Sequence, residues 1–139
     1  MKRIPPLLLF LALCVGAMVS PAVAGDTDPL FISLTSDDSH RARMAISFGG
    51  NQLKRGHPLT IFLNDRGVLV GSKANSSKFE SQQKAMAELI SQGATILMCP
   101  MCKKHYGVKD ADLLPGLQVG KPDITGPALF RDNTKTLTW

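Results

Sequence analysis

"ATILMCPMCKKHYGV", residues 94–108, decides how the chain must be read. Its opening "ATILM" is a short apolar run of strand length, and Pro100 follows almost at once. Proline is best tolerated in the first turn of a helix, where its missing N–H has no partner to lose. The segment therefore predicts a strand that passes directly into a helix, with Cys99 near the N-cap and Cys102 three residues further on. Gly107 then limits that helix to about two turns. A strand feeding a helix, with no hairpin signal between them, is the unit from which parallel α/β sheets are built.

The residues before this segment repeat the unit twice. "LFISL" (30–34) is a short apolar run, and the "TSDDSH" after it is rich in helix-capping residues. From Arg41, Ala42, Ala45, Ile46, Gly49 and Leu53 recur at helical spacing, with Gly56 as the stop. "LTIFL" (59–63) predicts a second strand, "NDRG" a turn, and 68–77 an irregular stretch. Ser77 and Glu80 have the spacing of a capping box and open a second helix with Phe79, Met86, Leu89 and Ile90 on its apolar face. After the quoted segment, "DADLLPG" predicts a single helical turn. "DITGPALF" fits a helix with Pro127 in its first turn, and "KTLTW" a last strand.

The fold class follows as α/β with a mainly parallel sheet and right-handed crossovers. Strands covered on both faces account for runs that are continuously apolar rather than alternating.

The start of the chain predicts a secretory signal peptide over residues 1–24. Lys2 and Arg3 give a positive n-region, Leu7 to Val19 an apolar run too short to span a bilayer, and Ala22-Val23-Ala24 a cleavage pattern. Cys14 lies inside the apolar run and is preceded by Leu13, which does not suit a lipoprotein site. Residues 25–139 then make one small domain, exported and periplasmic, with no further apolar run of membrane length. Removing Lys2 and Arg3 takes two charges from the formal net charge of +5. With no basic block and no row of aromatics, nucleic acid is a poor partner.

Export leaves Cys99 and Cys102 as the remaining thiols, in an oxidising compartment. A disulfide between them would close a very short loop and remove little unfolded-state entropy, so the pair reads as chemical rather than structural. The bland alternative is two buried, inert cysteines. In an open α/β sheet, ligands collect outside the carboxyl ends of the strands, where Cys99 falls. The N-terminal end of a helix, with Lys103 and Lys104 close by, favours a thiolate there.

Several chemistries compete for the motif. A c-type haem requires histidine directly after the second cysteine, and Lys103 stands there. Zinc wants four ligands, whereas only Cys99, Cys102 and His105 lie near one another; His40 and His57 read as exposed polar residues. Copper(I) suits Cys99, Cys102 and Met101, with Met98 assigned to the core. A thioredoxin-like dithiol also places C-x-x-C at a strand–helix junction, although only Pro127 could stand for its later proline.

"TSDDSHRARMAISFGGNQLKRGHPLTIFLNDRGVLV", "QQKAMAELISQGATILMCPMCKKHYGV", "DLLPGLQVG" and the terminal "TLTW" together resemble the DsrE/DsrF-like family. That family includes the sulfurtransferase subunits of sulfur-relay systems. The resemblance implies a flavodoxin-like three-layer α/β sandwich that assembles into trimers or hexamers. It also implies a cysteine after the third strand that accepts sulfur as a persulfide and needs no cofactor. Cys99 matches that position. Cys102 marks a C-x-x-C branch and implies a resolving thiol or a second metal ligand. Partners would be a sulfur donor or acceptor protein, or a small thiol. The well-understood relay members are cytoplasmic, so the export signal sets this chain apart.

Overall fold

The computed structural model describes residues 25–139, so the expected signal peptide lies outside the described residues. The elements run β1 (Leu30–Leu34), α1 (Ser39–Lys54), β2 (Leu59–Leu63), α2 (Ser76–Ser91), β3 (Thr95–Met98), α3 (Pro100–His105), β4 (Gln118–Val119), α4 (Pro122–Leu129) and β5 (Lys135–Thr138). Short 3-10 turns occupy Asp65–Leu69, Lys73–Asn75 and Asp110–Asp112.

The five strands form one parallel sheet in the order β4-β3-β2-β1-β5. Leu30 to Leu34 pair with Leu59 to Leu63 in register, and Thr60 to Leu63 with Thr95 to Met98. The chain steps one place per strand from β1 to β4, then returns to the far side of β1 with β5. This is the α/β, flavodoxin-like architecture that the sequence predicts.

Every other strand residue points at the layer formed by α1 and α2, as the pleat dictates. Ile32, Leu34, Ile61, Leu63, Ile96 and Met98 are fully buried in one cluster with Ala42, Ala45, Ile46, Met86 and Leu89 from the two helices. Burying a side chain of this size stabilises by about 1.5–3 kcal/mol, so this layer supplies most of the hydrophobic driving force. Phe31 and Phe62 meet on the opposite face with ring centroids 6.1 Å apart. Phe62 and Thr125 of α4 both close on Gly120, where an added Cβ would lie 3.2 Å and 2.8 Å from them.

Helix boundaries follow local chemistry, with some corrections. Asp38 caps α1 by accepting from the Arg41 N–H at 2.8 Å, and Gly56 and Gly93 adopt positive φ just beyond the ends of α1 and α2. The capping box at Ser77 and Glu80 does not form. α2 begins at Ser76 without a side-chain cap, and Glu80 turns outward to Lys84 at 2.7 Å. Pro127 lies inside α4 rather than in its first turn, which Pro122 occupies. Val68 and Val70, read as irregular, are fully buried around the Asp65–Leu69 turn. The short β4 edge strand was not expected at all. No helix among the described residues is long and apolar enough to cross a membrane.

Candidate functional site around Cys99 and Cys102

Cys99 stands where β3 ends, at the carboxyl edge of the sheet. Its backbone N–H donates to the Leu63 carbonyl at 2.8 Å, and the Gly120 N–H donates to the Met98 carbonyl at 2.8 Å. These bonds extend the sheet ladder past the strand ends and fix the cysteine's backbone on both sides.

Cys99 is the N-cap of α3. Its backbone is extended, Pro100 opens the helix, and its sulfur accepts from the Cys102 backbone N–H at 3.3 Å. The capping role that serine or aspartate usually fills falls here to a sulfur. The cysteines are both free, and they differ in exposure: Cys99 is only 7% exposed and packs with the core, whereas Cys102 is half-buried. The helix terminus therefore does not leave Cys99 open to solvent: its side chain belongs to the apolar cluster that also holds Val108, Leu114 and Leu117.

Cys102 instead faces a shallow depression of about 230 Å³, shared with Asp65, Met101, His105 and Tyr106. Burial pushes the Cys102 thiol up, and its hydrogen bond with the Cys99 side chain pushes it the same way. The backbone N–H of Asp65 opposes both by favouring charge on the sulfur.

The surroundings come from three further loops. The Tyr106 hydroxyl donates to the Asp65 carboxylate, which holds that hydroxyl above the usual phenol range. Arg66 lies 6.0 Å over the Tyr106 ring and grips Asp37 with two hydrogen bonds of 2.8 Å. Lys78 adds a contact of 3.4 Å to the same carboxylate. Asp37 is accordingly lowered to about 2, chiefly by the Arg66 hydrogen bond.

Other sequence-derived residues fall in varied places. Met98 is fully buried, as expected, and Met101 is 79% exposed. Lys103 pairs with Asp110, at 2.9 Å, with only 16% of its side chain exposed. His105 packs edge-on against Tyr106, 4.7 Å between centroids. His57 is not a free surface residue: its Nδ1 lies 2.8 Å from the Asp28 carbonyl. Among the described residues, no three His, Cys, Asp or Glu side chains gather as metal ligands would. Asp65, Arg66 and Tyr106 went unread in the sequence. The "NDRG" turn signal was the only trace of the first two, because their partner lies some forty residues away.

A five-stranded parallel sheet of this order with helices on it defines a class of small α/β proteins, and similarity to known proteins gives that class a name. The model of the DsrE/DsrF-like family matches residues 30–128, and the chain belongs to that family. An uncharacterized protein of Methanopyrus kandleri is 28% identical over 95 residues, covering 68% of this chain and 78% of the relative. One of Methanocaldococcus jannaschii is 32% identical over 80 residues, covering 57% and 70%. Among solved structures, a protein of unknown function from Methanobacterium thermoautotrophicum superposes with a TM-score of 0.66 at 18% identity, covering 81% of this chain and 99% of its own. The ychN protein from E. coli gives a TM-score of 0.59 at 17% identity, with coverage of 81% and 99%. These structures share the fold.

Proposed function

We propose that this chain is an exported, periplasmic member of the family's C-x-x-C branch that transfers sulfur as a persulfide through Cys99 and Cys102. The observation that supports the reading is the pairing itself. At the carboxyl edge of the sheet, the Cys99 sulfur accepts from the Cys102 N–H at 3.3 Å, which seats both cysteines in the first turn of α3. Membership of a family with sulfur-relay subunits supports the same chemistry.

The Cys99 thiolate attacks the sulfane sulfur of a donor persulfide. The donor's S–S bond breaks, its thiolate leaves, and Cys99 carries the sulfur. An acceptor thiolate then takes the outer sulfur and releases the Cys99 thiolate; without an acceptor, the Cys102 thiolate attacks the Cys99 sulfur instead, and hydrosulfide leaves as the Cys99–Cys102 disulfide forms. On this second route two electrons pass from the dithiol to the sulfane sulfur, and an external thiol reductant resets the pair. Without a sulfur donor, the same two residues carry out plain dithiol–disulfide exchange. The donor and acceptor are a partner protein or a small thiol, and the working form is a homo-oligomer, a trimer or hexamer.

A second reading, copper(I) binding, draws on Met101 and Cys102 lining the same depression. With Cys99 they offer one thioether and two thiols, the soft donors that copper(I) prefers.

Intact-mass measurement separates the two. The reduced protein, as wild type and Cys99→Ser, is exposed to polysulfide or to copper(I). A one-sulfur adduct that is absent in Cys99→Ser is the expected result. Stoichiometric copper without a sulfur adduct would reverse the choice.

A further inference from the structure

The Asp65–Leu69 turn has one residue in an unusual backbone state. Asp65 adopts φ 45°, the left-handed region that few residues other than glycine, asparagine and aspartate enter. It does so immediately after β2, beside the strand that delivers Cys99. From this position the Asp65 carboxylate accepts from the Tyr106 hydroxyl at the C-terminal end of α3, and Asp65, Cys102 and Tyr106 line one depression. Cys102 and Tyr106 are themselves joined by the Tyr106 N–H to Cys102 carbonyl bond of 2.9 Å.

From this geometry we propose that Asp65 is the positioning residue of the dithiol: it clasps α3 through Tyr106 and keeps Cys102 within bonding reach of Cys99. The inference rests on the reading of the two cysteines as a working pair. α3 is only six residues long, and beyond the Asp65 contact its C-terminal end is held by the Lys103–Asp110 ion pair and the packing of Tyr106 and Val108 on the core. A helix this short does not hold itself in place, because nucleation is costly and each turn adds few bonds. The clasp supplies an anchor on a neighbouring loop, and that loop is fixed in turn by Arg66, which spans from the Tyr106 ring to Asp37. Closing a disulfide requires the two Cβ atoms to approach to about 3.5–4.5 Å, so a helix free to swing lowers the effective concentration of one thiol at the other.

The test is the equilibrium constant for Cys99–Cys102 closure in glutathione redox buffers, read by intact mass after alkylation. Wild type, Asp65→Ala, Asp65→Asn and Tyr106→Phe are compared, each with a thermal melt. Asp65→Ala and Tyr106→Phe are expected to lower the closure constant about tenfold, which is about 30 mV in reduction potential. Asp65→Asn tolerates the same φ and still accepts from Tyr106, so it should stay within about twofold of wild type. Closure constants unchanged in Asp65→Ala and Tyr106→Phe, even with a lowered melting temperature, would overturn the clasp and leave the dithiol reading standing. A wild type that forms no Cys99–Cys102 disulfide in any buffer would defeat the dithiol reading, and the clasp with it.

Discussion

The Cys99 sulfur does the work of a helix cap for Cys102, accepting its backbone N–H at 3.3 Å. One atom thus has two duties, closing the first turn of α3 and serving as a thiol. The duties separate by substitution. Cys99→Ala deletes the acceptor and leaves an N–H without a partner, at a cost of about 1–2 kcal/mol. Cys99→Ser supplies a better cap oxygen and should cost less than about 1 kcal/mol while abolishing thiol chemistry. Urea unfolding of the reduced variants measures the difference; equal losses would mean that the sulfur does not act as a cap.

Alkylation should find the two thiols unequal. Cys102 opens on the depression beside Tyr106, and Cys99 is packed with the core. Modification of the native reduced protein is expected at Cys102 first. Its rate should keep rising with pH above the usual thiol range, because burial and then the bond with Cys99 hold the proton on Cys102. In Cys99→Ala the second cause is gone, so the midpoint of the Cys102 profile should move down. Peptide mapping of the alkylated residues against pH checks both statements, and an upward move would contradict the assigned cause.

A pH effect on stability follows from Asp37. Its carboxyl is lowered to about 2 from an ordinary 3.8, first through the Arg66 hydrogen bond. A depressed carboxylate stabilises the fold above its ordinary range, and that contribution is lost as pH falls from about 4 towards 2. Asp37 is 18% exposed but Arg66 is 54% exposed, so solvent screening limits the gain to about 0.5–1 kcal/mol. Asp37→Asn should therefore be less stable than wild type at neutral pH and equal to it near pH 2. Chemical denaturation across that window gives the comparison, and parallel curves would remove Asp37 from the acid response.

What was legible in the sequence was carried by repetition. Four of the five strands, α1, α2 and the strand-to-helix passage at Cys99 follow from apolar runs, helical spacing and the position of Pro100, each encoded within about fifteen residues. The features that escaped are those whose partners are distant. Gln83 gives no signal in the sequence, yet its Nε2 donates to the Val70 and Ser72 carbonyls at 3.1 and 2.8 Å and holds the irregular stretch against α2. Glu80 had the right spacing for a cap, but Lys84 one turn along offered its carboxylate a closer charge. β4 has two residues and is defined by its bonds to β3, so no periodicity could reveal it. At the site, both cysteines could be placed from local pattern. Their unequal burial and the Asp65–Tyr106 contact could not, because they depend on how the loop after β2 meets α3.

That loop is pinned at Gly67, and the last prediction concerns it. Gly67 donates to the Asn64 carbonyl at 2.9 Å and to the Thr35 carbonyl at 3.2 Å, and a Cβ at this position would overlap the Leu34 carbonyl oxygen. Leu34 is fully buried at the end of β1, which is paired on both sides by β2 and β5, so the backbone it belongs to has no room to yield. The turn must give way instead. Gly67→Ala should cost about 3 kcal/mol or more, the upper end for overpacking. Any variant that still folds will have moved Asp65, two residues earlier, away from Tyr106. It should therefore show the lowered disulfide closure expected of Asp65→Ala, although neither Asp65 nor either cysteine has been changed. Melting temperature and closure constant measured on the same preparation test both halves. A Gly67→Ala protein that is destabilised yet closes its disulfide as wild type does would show that the turn and the dithiol are uncoupled.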